Sequence, residues 1–429
     1  MGEEDSGRLY RDHVNRGMAR MLSLMGAGEE ASSQGSIVVS AAGERYLDCG
    51  GYGVFLLGHC HPTVVDAVVE QVRRHPLATH ALLEPTVAHA AGALSAVAPP
   101  GLDYVFFTNS GTEAVELGLK VARANGRRRV IAAERGFHGK TLGALSAAGK
   151  PGYREPFEPL LPAVVHVPFG EPEAVRSALA AGEPAAVLVE PVQGEGGVRE
   201  PPPGYLARVR ELCDRHGALL LMDEVQTGLG RLGTMWGCEP EGVVPDVLLV
   251  GKILGGGVFP VGAMVTTAEL YGPFNVDPLL HSSTFGGSPA AAAAVMGSLA
   301  AIREDDLVAR AATLGAQLLN LIRDEVARHA AAVVREVRGR GLMIGIEFET
   351  PAAAADAMSE LLKRRVLTSY TLNSNEVLRL TPPATMTAGE VEWLVTALAA
   401  ACRLVSTRFT RRKEGPDATV HYARARSVG

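Results

Sequence analysis

Between about residues 100 and 270 the chain alternates short apolar runs with amphipathic stretches. YVFFT (104–108), RVIAA (129–133), AAVLVE (185–190), ALLLMD (218–223), DVLLV (246–250) and GAMVT (262–266) are rich in branched residues and bounded by polar or turn-forming ones, so they read as strands. Between them, EAVELGLKVARA (113–124) and GYLARVRELCDRHG (204–217) repeat their apolar positions at helical spacing. This alternation predicts a mostly parallel sheet with helices on both faces. In such sheets ligands bind outside the carboxyl ends of the strands.

Further on, the alanine-rich stretch 289–303 and the segment 305–330 read as helices. RGRGLMIGIEF (338–348), a helix near 352–365, a strand VLRLTP (377–382) and a last helix near 387–404 follow. These predict a smaller α+β unit. An apolar hairpin pattern near 36–48 is suited to pack with it. The expected division is an N-terminal segment (1–55), a large domain (56–305), a small domain (306–405) and a basic tail (406–429). With Arg408, Arg411, Arg412 and Lys413 and no periodicity, the tail is expected to be disordered or loosely docked. The chain shows no internal repeats.

Composition narrows the classes. With 429 residues and 47% hydrophobic residues the chain can bury a large core. A net charge of −6 gives no reason to expect nucleic-acid binding or attraction to membrane surfaces. The five cysteines, Cys49, Cys60, Cys213, Cys238 and Cys402, form no C-x-x-C pair. That speaks against a disulfide framework or zinc knuckle and for a reducing, cytoplasmic setting. No apolar run is long enough to span a bilayer, and the start lacks a signal-peptide layout. Gly2 and Ser6 formally match an acylation pattern, but the residues between them are acidic.

Candidate chemistry sits at the strand ends. Lys252 lies between DVLLV and a glycine cluster in GKILGGG, and Asp223 ends ALLLMD twenty-nine residues earlier. A lysine amine that forms a Schiff base, paired with a carboxylate that keeps a pyridine nitrogen protonated, is what pyridoxal phosphate chemistry needs. Taken alone, Lys252 is equally a phosphate-binding lysine, although its glycines follow it, the reverse of an ATP loop. Asp223 alone is equally a helix cap or a metal ligand, but no second ligand stands at metal spacing, so no metal is expected. Ser110, Gly111 and Thr112 open the helical stretch after YVFFT, where free N–H groups favour a phosphate, or where Ser110 is an ordinary cap. Phe137 and His138 offer a ring to stack on a flat cofactor or to fill core. Thr284, in STFGGSP, is a possible phosphate donor in a commonplace turn.

Together these segments resemble the class III (ω-)aminotransferases, pyridoxal 5′-phosphate enzymes of fold type I, over roughly residues 40–400. The resemblance implies a seven-stranded-type sheet in the large domain, with a small domain built from the N-terminal segment and the C-terminus. It implies Lys252 as the Schiff-base and proton-shuttling lysine, Asp223 on the pyridine nitrogen and Gln226 on the ring hydroxyl. It further implies phosphate binding by Ser110, Gly111 and Thr112, and Phe137 or His138 over the ring face. Glu190 belongs to the cofactor-binding set. Thr284 reaches the neighbouring subunit's phosphate in an obligate homodimer with shared sites, or in a tetramer of such dimers. Arg379 matches the arginine that grips a keto acid carboxylate, and Glu195 the glutamate that pairs with it when the substrate end is uncharged.

Within that family the likeness is closest to the putrescine aminotransferases. It is carried by GGYGVFLLGHCHP (50–62), FHGKTLGALSA (137–147), GEGGVREPPPGYL (194–206), GKILGGGVFPVGA (251–263) and TLNSNEVLRLTPP (371–383). Lys140 stands where ornithine-type relatives usually carry an arginine for a substrate carboxylate. Tyr52 and Phe55 are expected to line the substrate entrance. The implied reaction is a ping-pong exchange between a putrescine-like diamine and 2-oxoglutarate or pyruvate. Alternatives are a biosynthetic enzyme aminating a longer aldehyde from glutamate or alanine, an ornithine- or acetylornithine-type enzyme, and an isomerase or decarboxylase on the same scaffold. A non-catalytic cofactor-binding protein is the remaining reading.

Overall fold

The computed structural model describes residues 6–24, 26 and 28–414. Gly2 and the tail beyond Glu414 lie outside the described residues. The N-terminal strands β1 (Glu30–Gln34), β2 (Ile37–Ser40) and β3 (Arg45–Asp48) run antiparallel, with the chain reversing at Gly43.

The central sheet comprises β4 (Tyr104–Thr108), β5 (Arg129–Ala133), β6 (Val164–Val167), β7 (Ala185–Val189), β8 (Leu219–Asp223), β9 (Val247–Val250) and β10 (Gly262–Thr266). Its order is β4-β10-β9-β8-β7-β5-β6, parallel except where β10 runs against both β9 and β4. Strands β7, β8, β9 and β10 are buried along their whole length, which is why they read as continuous apolar runs. The expected strands are all present. β6 is an addition, because VVHV is short and carries a histidine, as an edge strand tolerates.

After the helices Pro289–Glu304 and Leu307–His329 come β11 (Val334–Arg340), β12 (Met343–Phe348), β13 (Val366–Leu367), β14 (Ser369–Thr371) and β15 (Ser374–Leu380). The second sheet has the order β11-β12-β15-β14, while β13 pairs in parallel with β3 and so joins the N-terminal hairpin to the C-terminal part. The helices Pro351–Lys363 and Ala388–Glu414 pack on one another. The last helix, expected over about 387–404, continues to Glu414. Val405 is buried, Phe409 packs against the core, and Arg408 pairs with Asp356 at 2.9 Å. The apolar positions thin out while the helix goes on, so periodicity alone stops short. Among the described residues no helix is long and apolar enough to cross a membrane, and no cluster of potential metal ligands occurs.

Candidate active site

Asp223 is the last residue of β8, opposite Leu249 of β9, and Lys252 follows β9 by two residues. Adjacent parallel strands therefore deliver both groups to one end of the sheet. There they line a cavity of about 210 Å3 with Gly111, Thr112, Phe137, His138, Gly139, Glu190, Glu195, Val225 and Gln226.

Lys252 opens a short 3-10 turn with its backbone in the left-handed region (φ 43°), a conformation that costs a non-glycine residue energy unless its surroundings enforce it. Its neighbour Gly251 packs on Gly111, whose Cα lies 3.2 Å from where a Cβ at 251 would be. Burial pushes the lysine ammonium down, an effect that Glu195, Asp223 and Glu190 oppose and Arg379 reinforces. Among the described residues no hydrogen bond engages its amine. The result is a lysine biased toward the neutral, nucleophilic form.

Asp223 is held on both oxygens. Oδ1 accepts from the Val225 N–H at 3.1 Å, and Oδ2 lies 2.7 Å from Nδ1 of fully buried His138. Burial works against a charge on His138, yet the hydrogen bond and charge of Asp223, with the charge of Glu190, leave its pKa raised. The hydrogen bond from this histidine fixes the orientation of the carboxylate. Both candidates for ring cover line the cavity, with the His138 imidazole bonded to Asp223 and the Phe137 ring free of such a bond among the described residues. Glu190 Oε1 accepts from the Phe137 N–H at 2.9 Å and Oε2 from the Gly194 N–H at 3.2 Å. Burial pushes its carboxyl up to about 7, against the pull of His138.

The helix Gly111–Ala124 starts at the cavity, capped by Ser110 Oγ, which accepts from the Glu113 N–H. Ser110 itself does not line the cavity. The N–H groups of Gly111 and Thr112 belong to the first turn and have no carbonyl partner within the helix, so this end suits an anion. Glycine is needed at 111 because a Cβ there would stand 2.6 Å from Val225 Cγ1.

Arg379 of β15 is fully buried and does not itself line the cavity; its Nη1 donates to the cavity residue Glu195, on Oε1, at 2.5 Å. Gln226 bridges the two, its Nε2 3.5 Å from Glu195 Oε1 and its Oε1 3.4 Å from Arg379 Nη1. Burial disfavours the Glu195 charge, but Arg379 and then Lys252 outweigh it and hold the carboxyl below its usual range. Among the described residues Arg379 Nε has no hydrogen-bond partner.

Other expected site residues lie at the margin. Tyr52 is exposed, with its carbonyl accepting from Gln226 Nε2 at 3.3 Å, and Phe55 stacks on His59 with ring centroids 3.7 Å apart. Lys140 follows Gly139 of the cavity wall. It is exposed, does not line the cavity, and holds Nζ 4.7 Å from the Tyr153 ring centroid. Thr284 is likewise outside the cavity, on an exposed loop where its carbonyl accepts from His80 Nε2. Sequence reasoning missed Val225, which lines the cavity. It also missed Arg231, whose buried guanidinium donates to the Gly53, Leu342 and Pro382 carbonyls and so ties the Tyr52 segment to the strand of Arg379. Both sit in DEVQTGLGR beside Asp223, where nearness to the aspartate was the available signal.

A buried lysine whose charge burial disfavours, a carboxylate fixed at a strand end, a helix N-terminus and an aromatic wall suit a flat aldehyde with a basic ring nitrogen and a phosphate. Comparison with known proteins is consistent with this chemistry. The family model described as Aminotransferase class-III matches residues 29–402. An ornithine aminotransferase from Toxoplasma gondii, with pyridoxal phosphate partially occupying its active site, is 30% identical, with 96% of this chain and 100% of that one covered at a TM-score of 0.85. An (S)-enantioselective omega-transaminase from Thermomicrobium roseum is 28% identical over 90% of this chain and 95% of that one, with a TM-score of 0.83. A transaminase from the marine bacterium Virgibacillus is 27% identical over 89% and 94%, also at 0.83.

Proposed function

This chain belongs to the class III aminotransferases, pyridoxal 5′-phosphate enzymes of fold type I, and we propose that it exchanges an amino group between a terminal amine and a keto acid, with a putrescine-like diamine as donor. When bound, the cofactor supplies a carbonyl for Schiff-base formation and a ring that accepts electrons. Lys252 would hold it, and once free would carry a proton from the amine-bearing carbon of the donor to the cofactor, the reverse transfer serving the keto acid. Asp223, backed by His138, would face the ring nitrogen, Gly111 and Thr112 would hold the phosphate, and Phe137 would cover the ring.

The observation that carries the substrate reading is the buried Arg379–Glu195 pair. Closed, it presents no net charge to a terminal amine carbon. Open, it presents a guanidinium fork to a keto acid carboxylate. One site thereby serves both halves of a ping-pong exchange. Likeness to ornithine aminotransferases favours an α-carboxylated diamine as the competing donor, whereas Lys140, stacked on Tyr153, supports a donor lacking that carboxylate. Titrating the yellow enzyme separately with putrescine, cadaverine, ornithine, alanine and glutamate decides between them. Bleaching by putrescine but not ornithine is the expected result. Bleaching by alanine or glutamate alone would replace this reading with amination of a longer aldehyde.

The enzyme is also proposed to work as a homodimer. Leu82 and Leu83 on one loop, with Val276 at the end of the helix Ala268–Val276 and Leu279 and Phe285 on the loop after it, are strongly exposed; the His80–Thr284 hydrogen bond joins the two segments into an apolar surface suited to a second copy. Leu83, fully exposed, is the sharpest probe. Leu83→Asp is expected to shift the species seen by light scattering from twice the chain mass toward the chain mass. A wild-type protein that runs as a monomer would overturn the proposal.

A further inference from the structure

The hairpin turn between β14 and β15 brings Leu372 and Asn373 onto Glu195. The Leu372 N–H donates to Glu195 Oε2 at 2.8 Å, and the Asn373 N–H donates to the Glu195 carbonyl at 3.0 Å. Glu195 is thus gripped on one carboxylate oxygen by Arg379 and on the other by a backbone amide. The turn is in turn pinned from outside the site. The Leu372 carbonyl accepts from Lys150 Nζ at 2.7 Å and from the Tyr153 hydroxyl at 2.9 Å. Asn373 Nδ2 donates to the Arg135 carbonyl at 2.7 Å, in the loop that leads to Phe137. Tyr153 is itself flanked by two cations, Lys140 and Lys150, at 4.7 and 4.6 Å from its ring centroid.

We propose that Lys150 and Tyr153 are positioning residues that set the balance between the closed and open states of the Glu195–Arg379 pair, and so the preference of the site for a terminal amine or a keto acid. They touch neither cavity nor substrate and act through the Leu372 turn. The proposal rests on the reading of Arg379 and Glu195 given above.

Its physical content is directional. Glu195 can leave Arg379 only by giving up or rearranging its bond to the Leu372 N–H. A pinned turn keeps that donor in place and favours the closed pair. A loosened turn weakens the hold, so a substrate carboxylate displaces Glu195 from Arg379 more readily. The same loosening leaves Arg379 less well neutralised when an uncharged substrate end must bind beside it. One change therefore moves the two half-reactions in opposite directions, which general damage to the site would not do.

The test uses the loaded enzyme carrying Lys150→Met or Tyr153→Phe, the latter keeping the ring and removing one hydroxyl. Each half-reaction is followed as single-turnover kcat/KM, with putrescine and with 2-oxoglutarate, and amide hydrogen exchange is read over residues 369–376. The expected result is a roughly three- to ten-fold gain with 2-oxoglutarate, the scale of one hydrogen bond, a loss of similar size with putrescine, and faster exchange at the turn. Movement of both half-reactions in the same direction, or a ratio unchanged within experimental error, overturns the proposal. Arg379→Ala measured alongside separates the two levels. If it fails to penalise 2-oxoglutarate selectively, the reading of Arg379 falls; if it does so while Lys150→Met and Tyr153→Phe leave the ratio alone, only the role of the turn falls. Should putrescine prove inert with the wild type, the 2-oxoglutarate rate and the exchange at 369–376 still decide.

Discussion

Lys252→Ala is expected to remove turnover, by ~10^4-fold or more, and to remove the yellow colour of the loaded enzyme. No other amine can take over, because Lys252 is the lysine lining the cavity. The protein should stay folded. The amine has no hydrogen bond to lose among the described residues, and burial already disfavours its charge. Truncation therefore takes away a desolvated group rather than a structural one, and the melting temperature of the cofactor-free protein should hold or rise. Retained turnover, or retained colour after dialysis, would sink the assignment of Lys252. Loss of fold, seen as a collapse of the circular dichroism, would instead show that the left-handed turn at 252 depends on the lysine side chain.

Arg379→Ala is expected to cut kcat/KM for the keto acid by roughly 100- to 1000-fold, while the amine half-reaction loses less than about ten-fold. The asymmetry follows from what each substrate offers. A keto acid brings a carboxylate for this guanidinium to grip, whereas an amine carbon meets a neutralised pair. The variant also leaves Glu195 buried without its main partner. Its carboxyl pKa, now held low by Arg379, should climb, and the cost in stability should be roughly 3–5 kcal/mol. Because a depressed carboxyl adds stability above its unfolded pKa and loses it as pH falls through the folded one, the wild type should lose more stability than the variant on acidification below about pH 4.5. Equal losses in both half-reactions would remove Arg379 from its role. Arg379→Lys, which keeps charge but not the fork, should fall between the two.

Much of the sheet was legible because its strands are buried on both faces and so appear as uninterrupted apolar runs. Asp223 and Lys252 were legible for the same reason, since each breaks such a run at its end. Pairings between distant segments were not. His138 lies 85 residues from Asp223, and nothing in GFHGK distinguishes a ring that lies over a cofactor from one that backs a carboxylate. Lys140 could be matched by position, but its direction depends on Tyr153, a contact that only the folded turn creates. The turn at Leu372 and Asn373 escaped notice because its work is done by backbone N–H and C=O groups, which every residue carries and no sequence pattern marks.

The ladder that joins β8 to β9 sets Asp223 beside Leu249, three residues before Lys252, with neighbouring strands about 4.8 Å apart whatever side chains they bear. The apolar residues beneath can be exchanged for others of similar volume without altering that distance. Arg379, Glu195 and the Leu372 turn stand on a different sheet and on loops, outside this ruler. Substrate range can therefore drift by changes in those parts while the reacting groups stay in register, so a search for new activities in this chain should vary the hairpin and its supports and leave the central strands alone.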